Sequence, residues 1–205
     1  WHQEIEDILV LKNNKGTEDN RVRKLDYSIQ ISKLFYERFI KNDDITLFSP
    51  NNVPGLYEAF GMPEFDELYL KYEKDKSIPK STIGAQELFM DLLKERAETG
   101  RIYIMNIDHC NTHSSFKDKV YMSNLCQEIT LPTTPIQHID DKEGEIALCI
   151  LSAINLGLLT DIDELEELCD LSVRALDEII DYQEYPVEAA KISTQARRSL
   201  GIGYI

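Results

Sequence analysis

Short apolar runs alternate along this chain with longer stretches in which apolar residues recur at three- and four-residue steps. The run at 45–48 (Ile-Thr-Leu-Phe) stops at Ser49 and Pro50, and the run at 101–107 (Arg-Ile-Tyr-Ile-Met-Asn-Ile) starts after Gly100. Strands buried in a parallel sheet read as near-continuous apolar runs, and the helices between them cover the faces of that sheet. The alternation therefore predicts α/β architecture with a buried, mostly parallel sheet.

The periodic stretches predict the helices, and the apolar runs predict the strands. Helices are expected at about 22–41, 53–60, 65–72, 85–99, 161–180 and 187–200. Strands are expected at 45–48, at 101–107, at 124–131 and from 201 onward. The run at 146–150 fits either a strand or the start of a buried helix, and 108–123 is predicted to be a polar loop.

Polar residues before two of these stretches are candidates for helix caps. Ser81 or Thr82 is expected to cap the helix at 85–99, and Glu95 on that helix is expected to face solvent. Asp161 or Asp163 is expected to cap the helix that runs to 180. Serine, threonine and aspartate suit this position because their side-chain oxygens accept hydrogen bonds from the first free amides of a helix.

Composition excludes several classes of protein. The chain has 205 residues and a formal net charge of −15, with 42% hydrophobic residues. This length suits one domain, or a large part of one, with a real core. An acidic surface repels nucleic acid, and no apolar run approaches the roughly 20 residues that a membrane span needs. We therefore predict a cytoplasmic protein that binds neither DNA nor membrane.

One segment brings together side chains that can carry chemistry. In an extended chain, side chains alternate between faces, so Asn124, Cys126 and Glu128 would share one face. That face would hold an amide, a thiol and a carboxylate. The alternative is that Cys126 is a small buried hydrophobic residue. The carboxylate on the same face would then be costly to bury, unless the strand is an edge strand with a wet face.

Two other groups of residues were weighed as sites. His109, Cys110 and His113 have a spacing that metal ligands use, but no second ligand cluster accompanies them, so a solvated loop is favoured and no metal site is predicted. Gly201 and Gly203 lack the third glycine of a dinucleotide-binding turn. The four cysteines form no CxxC pair, which argues against a zinc ribbon and favours reduced thiols.

The segment at 123–129 (Ser-Asn-Leu-Cys-Gln-Glu-Ile) resembles the active-site loop of the large subunit of aerobic class I ribonucleotide reductase. The segments at 94–103 and 196–203 resemble the same family, and the resemblance extends over essentially the whole chain. It is greatest to the enterobacterial or phage-type enzymes. The family's subunit is much longer, so residues 1–205 are predicted to be an internal segment of its catalytic barrel domain. The regulatory N-terminal region and the C-terminal part are expected to lie outside it.

The resemblance implies a fold and a role for each matching residue. The fold is a ten-stranded α/β barrel with helices outside and a central finger loop, here at about 108–131. Cys126 matches the cysteine that becomes a thiyl radical and removes the 3′ hydrogen of the ribose. Glu128 matches the carboxylate that takes the 3′-hydroxyl proton, and Asn124 matches the amide that orients the ribose. All three are implied to bind substrate, and the radical is expected to be shielded from water.

Cys149 matches one member of the redox-active disulfide, whose other cysteine lies upstream of Trp1 in the family. Cys110 and Cys169 match no catalytic position and are interpreted as structural thiols. The implied reaction reduces ribonucleoside diphosphates to 2′-deoxyribonucleoside diphosphates, the precursors of DNA. No cofactor is expected in this segment, because a metal-containing small subunit supplies the radical.

The resemblance also implies partners. Thioredoxin or glutaredoxin is the expected reductant, the large subunit is expected to form a homodimer, and the nucleotide effectors ATP, dATP and dNTPs are expected to bind outside this segment. A different class of function stays open at this point, namely a non-catalytic acidic α/β interaction domain. A thiol hydrolase is a weaker third possibility, since no histidine stands in a motif that pairs with Cys126.

Overall fold

The computed structural model describes residues 1–100 and 102–205. Arg101 lies outside the described residues. It is predicted to start a strand, and it belongs to a segment that resembles the family. The chain divides into two compact units, Trp1–Thr130 and Leu131–Ile205. Each unit has its own paired strands and its own helices.

The first unit contains helices and strands in alternation. Its helices are α1 (Ile5–Leu9), α2 (Lys33–Lys41), α3 (Leu56–Ala59), α4 (Phe65–Lys74), α5 (Ala85–Thr99) and α6 (Ile107–Thr112). Its strands are β1 (Tyr27–Ile31), β2 (Asp44–Phe48), β3 (Lys80–Gly84) and β4 (Ile102–Asn106). Strands β1 and β4 pair in parallel, whereas β2 and β3 pair antiparallel. The predictions for β2, α4, α5 and β4 are thereby confirmed to within a few residues.

The parallel pair of β1 and β4 has one strongly apolar face. Ile31 and Ile102 are buried on it, and they pack against Leu88 and Leu92 of α5. Leu88 and Leu92 lie four residues apart, so they project from the same side of the helix. This contact fixes α5 against the sheet and leaves the opposite face of β1 and β4 for other contacts.

Glu95 corrects one prediction for α5. It is only 6% exposed, although the sequence analysis places it in solvent. It follows Leu88 and Leu92 at helical spacing and therefore lies on the same buried side. The amide Nδ2 of Asn13 donates a hydrogen bond to Glu95 Oε1 at 3.4 Å, which partly offsets the cost of burying this carboxylate.

The prediction of a helix from 22 onward is wrong in its first half. Residues 27–31 form β1, and the helix α2 begins only at Lys33. Ser32 separates the two elements, because its side chain accepts a hydrogen bond from Phe35 N and caps α2. Ser81 and Thr82 do not cap α5, since both lie within strand β3.

A partly buried ion pair joins α2, α4 and β2. The terminal nitrogens Nη1 and Nη2 of Arg38 each donate to the carboxylate of Glu73 at 2.6 Å. The hydroxyl of Thr46 donates to the same carboxylate at 2.6 Å. These hydrogen bonds, the Arg38 contact above all, hold the pKa of Glu73 below its usual value. Tyr69 completes the contact by hydrogen bonding to the backbone of Thr46.

The second unit pairs its two strands in parallel. It contains β5 (Ile150–Ile154), α7 (Glu164–Tyr182), α8 (Glu188–Arg197) and β6 (Leu200–Tyr204). Residues 146–149 are neither helix nor strand, and β5 begins at Ile150, so the run is not the start of a helix. Asp163 is the residue before α7, but its side chain makes no capping hydrogen bond. Asp161 instead accepts a hydrogen bond from Asp163 N at 3.1 Å, in the turn before the helix.

The chain is therefore a mixed α/β structure, as predicted. Its strands form three two-stranded sheets within residues 1–100 and 102–205, two parallel and one antiparallel. These strands do not close into a barrel in the part of the chain that the structure describes. Separate two-stranded sheets leave strand edges available for pairing, although residues 1–3 already hydrogen-bond to Phe48 at the end of β2.

The Arg38–Glu73 pair predicts an acid-sensitive contact. The folded pKa of Glu73 is lowered, so its contribution to stability is present above the unfolded pKa and is lost as pH falls through the folded value. Glu73→Gln should therefore speed hydrogen exchange in β2 at neutral pH, and should flatten its pH dependence below about pH 5. Exchange is measured by mass spectrometry on the full-length subunit, corrected for the intrinsic rate.

Glu67→Gln is the matched control, because Glu67 lies exposed on the same helix. It should leave exchange in β2 unchanged at every pH. Equal effects of the two substitutions would contradict the assignment of this contact to Glu73.

Candidate active site

The candidate site lies on the second face of the β1–β4 pair. Gln30 and Tyr103 project to this face, since they alternate with residues that pack against α5. The segment that follows α6 is tied to this face. The amide Nε2 of Gln30 donates to the carbonyl of Tyr121 at 2.7 Å.

Asn111 fixes the start of the same segment. Its amide Nδ2 donates to the carbonyl of Val120 at 3.0 Å, and its Oδ1 accepts from Val120 N at 2.8 Å. Gly61 allows α6 to come close, because a Cβ at this position would lie 2.5 Å from Ile107 Cγ1. Gly61 also has φ +81°, a conformation that favours glycine. The approach to residue 121 is therefore fixed by side chains far apart in sequence.

Residues 123–129 form a tight turn, so the prediction of a strand here is wrong. Ser123 Oγ donates to the carbonyl of Ile129 at 2.7 Å, and Asn124 Oδ1 accepts from Ile129 N at 3.0 Å. Gln127 closes the tip of the turn, with its backbone N–H donating to the carbonyl of Asn124 at 3.2 Å. Gln127 has φ 69°, in the left-handed region. Alternation along a strand is therefore not what brings the site residues together.

The turn orients each of the three predicted site residues differently. Asn124 is half-buried and its Oδ1 is used within the turn, while its Nδ2 donates to none of the residues in 1–100 and 102–205. Cys126 is exposed at the tip, and its Sγ lies 3.7 Å from Tyr103 Oη. Glu128 is exposed, and its carboxylate has no hydrogen-bond or ion-pair partner among the described residues. The turn thus offers an amide donor, a thiol and a carboxylate.

The enclosure expected around Cys126 is not formed by the described residues. The thiol is exposed, although a carbon-centred or sulfur-centred radical needs to be kept from water. Two paired strands can support the turn from one side only.

Cys149 lies in the second unit, one residue before β5. It is half-buried, and its thiol lies 3.9 Å from the carbonyl of Ile150. A Cβ on Gly201 would lie 2.6 Å from Leu151 Cδ2 and 3.4 Å from Cys149 Sγ. The glycine on β6 therefore leaves room for the side chains of Cys149 and Leu151 on the same side of the pair.

Cys110, His109 and His113 were weighed as metal ligands, and they lie on or next to α6. Cys110 packs beside buried Met105 and Val120, and burial raises the pKa of its thiol. His109 lies on α6 and His113 directly follows that helix, and their rings meet edge to face with centroids 5.2 Å apart. Three or more metal-ligating side chains do not cluster anywhere in the described ranges. None of the helices described is both long and apolar enough to cross a membrane.

Sequence reasoning missed three residues of the site. Ser123 and Gln127 shape the turn, and Tyr103 supplies the hydroxyl beside Cys126. The Ser-Asn pair at 123–124 is turn chemistry and was a usable signal. Tyr103 gave none, because only the fold brings it to a residue 23 positions away.

The fold and the site together define an α/β segment that presents a thiol at the tip of an anchored loop. Residues 1–205 match the family model described as ribonucleotide reductase, barrel domain. The chain therefore belongs to the ribonucleotide reductase family, and the resemblance noted in its sequence is confirmed.

Relatives with established names agree with this family. The ribonucleoside-diphosphate reductase subunit alpha of Haemophilus influenzae is 62% identical over 210 residues, which cover 100% of this chain and 28% of that protein. The ribonucleoside-diphosphate reductase 1 subunit alpha of Escherichia coli is 59% identical with the same coverage. A subunit alpha from an Enterobacteria phage is 47% identical over 211 residues, or 99% of this chain and 28% of the relative. The chain thus spans little more than a quarter of the length of these relatives.

The turn at 123–129 predicts a specific sensitivity. Ser123→Ala removes the hydrogen bond to Ile129 O, and one such bond contributes about 1 kcal/mol. Amide exchange across a peptide of residues 120–132 should then accelerate about threefold to tenfold in the full-length subunit. Hydrogen-exchange mass spectrometry measures it. Ser115→Ala, at an exposed serine in the preceding loop, is the control and should change nothing. Unaltered exchange in Ser123→Ala would show that the serine does not hold the turn.

Proposed function

We propose that this chain is the part of a ribonucleotide reductase large subunit that carries the radical cysteine, Cys126. The subunit would reduce ribonucleoside diphosphates to 2′-deoxyribonucleoside diphosphates and so supply DNA precursors. The observation that carries the proposal is the turn at 123–129, which presents Cys126 between Asn124 and Glu128. Membership of the family and the names of the relatives support the substrate class.

Cys126 would act as the hydrogen-atom abstractor. Its thiyl form takes the 3′ hydrogen atom of the ribose, which makes an S–H bond and leaves a carbon radical at C3′. The same hydrogen atom is returned to C3′ at the end of the cycle, so Cys126 is unchanged overall. The radical originates outside this chain, in a metal-containing small subunit. An exposed thiol at the tip of an anchored turn suits this role because substrate can reach it.

Glu128 and Asn124 would handle the 3′-hydroxyl. Glu128 takes its proton, which helps the 2′-hydroxyl to leave as water with a proton that comes from one thiol of the redox pair. A carboxylate without a partner among the described residues is available for this step. Asn124 would donate from Nδ2 to a ribose hydroxyl, while the turn holds its Oδ1 in place. All three residues would contact substrate.

Cys149 would supply electrons for the reduction. Together with a cysteine from outside this chain, it gives two electrons and two protons and becomes a disulfide. One proton leaves with the 2′-hydroxyl as water, and the other ends as the new hydrogen on C2′. Such a pair needs Cα atoms about 4.4–6.8 Å apart. Thioredoxin or glutaredoxin would return the pair to thiols by exchange. The space that Gly201 leaves beside Cys149 supports a thiol that can meet a partner.

The parallel pairs β1–β4 and β5–β6 would be parts of a ten-stranded α/β barrel. Residues 1–205 would then be one internal segment of the catalytic domain, with the finger loop at about 108–131. Further strands of the barrel would wall in Cys126 and provide the enclosure that its radical needs. We also propose a cytoplasmic homodimer of the large subunit that binds nucleotide effectors outside this segment.

Cys126→Ser in the full-length subunit tests the radical role. With the small subunit and a reductant present, turnover should fall by more than about a thousandfold, because a serine O–H bond is too strong to form the radical. Nucleotide binding, measured by calorimetry, should change less than about threefold. Cys169→Ser is the matched control at a half-buried thiol and should keep full activity. Retained turnover in Cys126→Ser would rule out the assignment.

Cys149→Ser tests the redox role separately. A single remaining thiol cannot supply two electrons, so steady-state turnover with a dithiol reductant should stop. Cys110→Ser should still cycle, since that thiol packs in the core beside Met105. Product formation is followed by chromatography of the nucleotides. Normal cycling in Cys149→Ser would refute the assignment of the disulfide.

A further inference from the structure

We infer that Tyr103 is a positioning residue, whose phenolic oxygen holds the Cys126 thiol in the orientation used for hydrogen-atom transfer. The inference rests on the proposed function of Cys126. It deepens that function by naming the group that selects one orientation of the sulfur.

The geometry joins a paired strand to an exposed turn. Tyr103 is half-buried on β4, whose backbone is paired in register with β1. Cys126 stands exposed at the tip of a turn, and its Sγ lies 3.7 Å from Tyr103 Oη. The thiol donates to the phenol oxygen at this distance. A cysteine side chain has three staggered rotamers, and a contact of this kind favours the one that faces the sheet.

A second contact from the same face supports this assignment. Gln30 also lies on the face of the sheet that carries Tyr103, and its amide binds the backbone of Tyr121 at 2.7 Å. The start of the segment and its tip are therefore both tied to one surface. Gln30 fixes the backbone of the segment, whereas Tyr103 contacts the reacting atom itself.

Orientation matters because hydrogen-atom transfer depends steeply on the distance between the sulfur and the ribose carbon. Displacing a reacting group by about 1 Å can cost about a hundredfold in rate. The phenol group can hydrogen-bond to the sulfur both as a thiol and as a thiyl radical. Its oxygen accepts from the thiol, and its O–H can donate to the sulfur once the hydrogen atom has left. Tyr103→Phe would keep the aromatic ring and lose both hydrogen bonds to the sulfur.

Tyr103→Phe in the full-length subunit, assayed with the small subunit, tests the role. We expect kcat to fall about tenfold while KM for the ribonucleoside diphosphate stays within about twofold. Tyr27→Phe is the matched control, because Tyr27 lies on the paired strand β1 and donates to Leu9 O at 2.9 Å on the other face. Tyr27→Phe removes a part-buried hydroxyl hydrogen bond and should leave kcat unchanged. Equal losses of kcat in both variants would overturn the inference.

Raman spectroscopy tests the contact without any assay of activity. The difference spectrum between the wild-type subunit and Cys126→Ser isolates the S–H stretching band of Cys126. We expect this band at the lower wavenumber of a hydrogen-bonded thiol, and at the higher wavenumber of an unbonded thiol in the Tyr103→Phe background. A wild-type band already at the unbonded position would refute the contact, and it needs no variant of Tyr103 to fold.

The two proposals fail in different ways. Full turnover in Cys126→Ser would remove the radical role of the cysteine, and the positioning role of Tyr103 would fall with it. Loss of turnover in Cys126→Ser together with wild-type kcat in Tyr103→Phe would leave the proposed function intact. That second result would reject only Tyr103.

Discussion

The parallel pairing of β1 with β4 is the constraint on which the candidate site depends. Because side chains alternate along a strand, this pairing sorts the residues of both strands onto two faces. The face with Ile31 and Ile102 is sealed by α5, which makes the pair a rigid support. The face with Gln30 and Tyr103 then presents fixed polar groups to whatever crosses it. A loop laid on this face gains a defined position that its own sequence does not provide.

The turn at 123–129 shows how a short segment can hold reactive groups without regular structure. Hydrogen bonds from the side chains of Ser123, Asn124 and Gln127 hold its backbone, although Gln127 Oε1 itself is buried without a partner among the described residues. Buried or half-buried backbone groups need such partners, and a turn without them would not persist. The side chains of Cys126 and Glu128 make no hydrogen bond within the turn, so they remain available to contact other groups. The division between residues that build the turn and residues that project from it is the main chemical feature of the site.

Local pattern was enough to predict several elements and not enough for others. The helix at 85–99 is predictable from its apolar period, and the strands at 45–48 and 101–107 are predictable as short apolar runs that end at turn residues or begin after them. Strand β1 was mistaken for helix because Leu25 and Ile29 fit helical spacing, and only pairing with β4 decides between the two. The sequence at 124–131 is strand-like, so local pattern alone predicts a strand where the structure has a turn. Its contacts with Asn111, Gln30 and Tyr103 connect residues that are distant in sequence.

Orientation of the Cys126 thiol and protection of that thiol from water have different structural sources. The contacts that position Cys126 lie within one unit, between β4 and the turn, so residues 1–130 suffice to form them. A radical has to be kept from water on all sides, and Cys126 is exposed among the described residues. Under the proposed function, further strands that pair with open edges of β1 and β4 would supply the missing walls. Such strands would change the access of water to Cys126, whereas the contact with Tyr103 that orients the thiol is formed within the first unit.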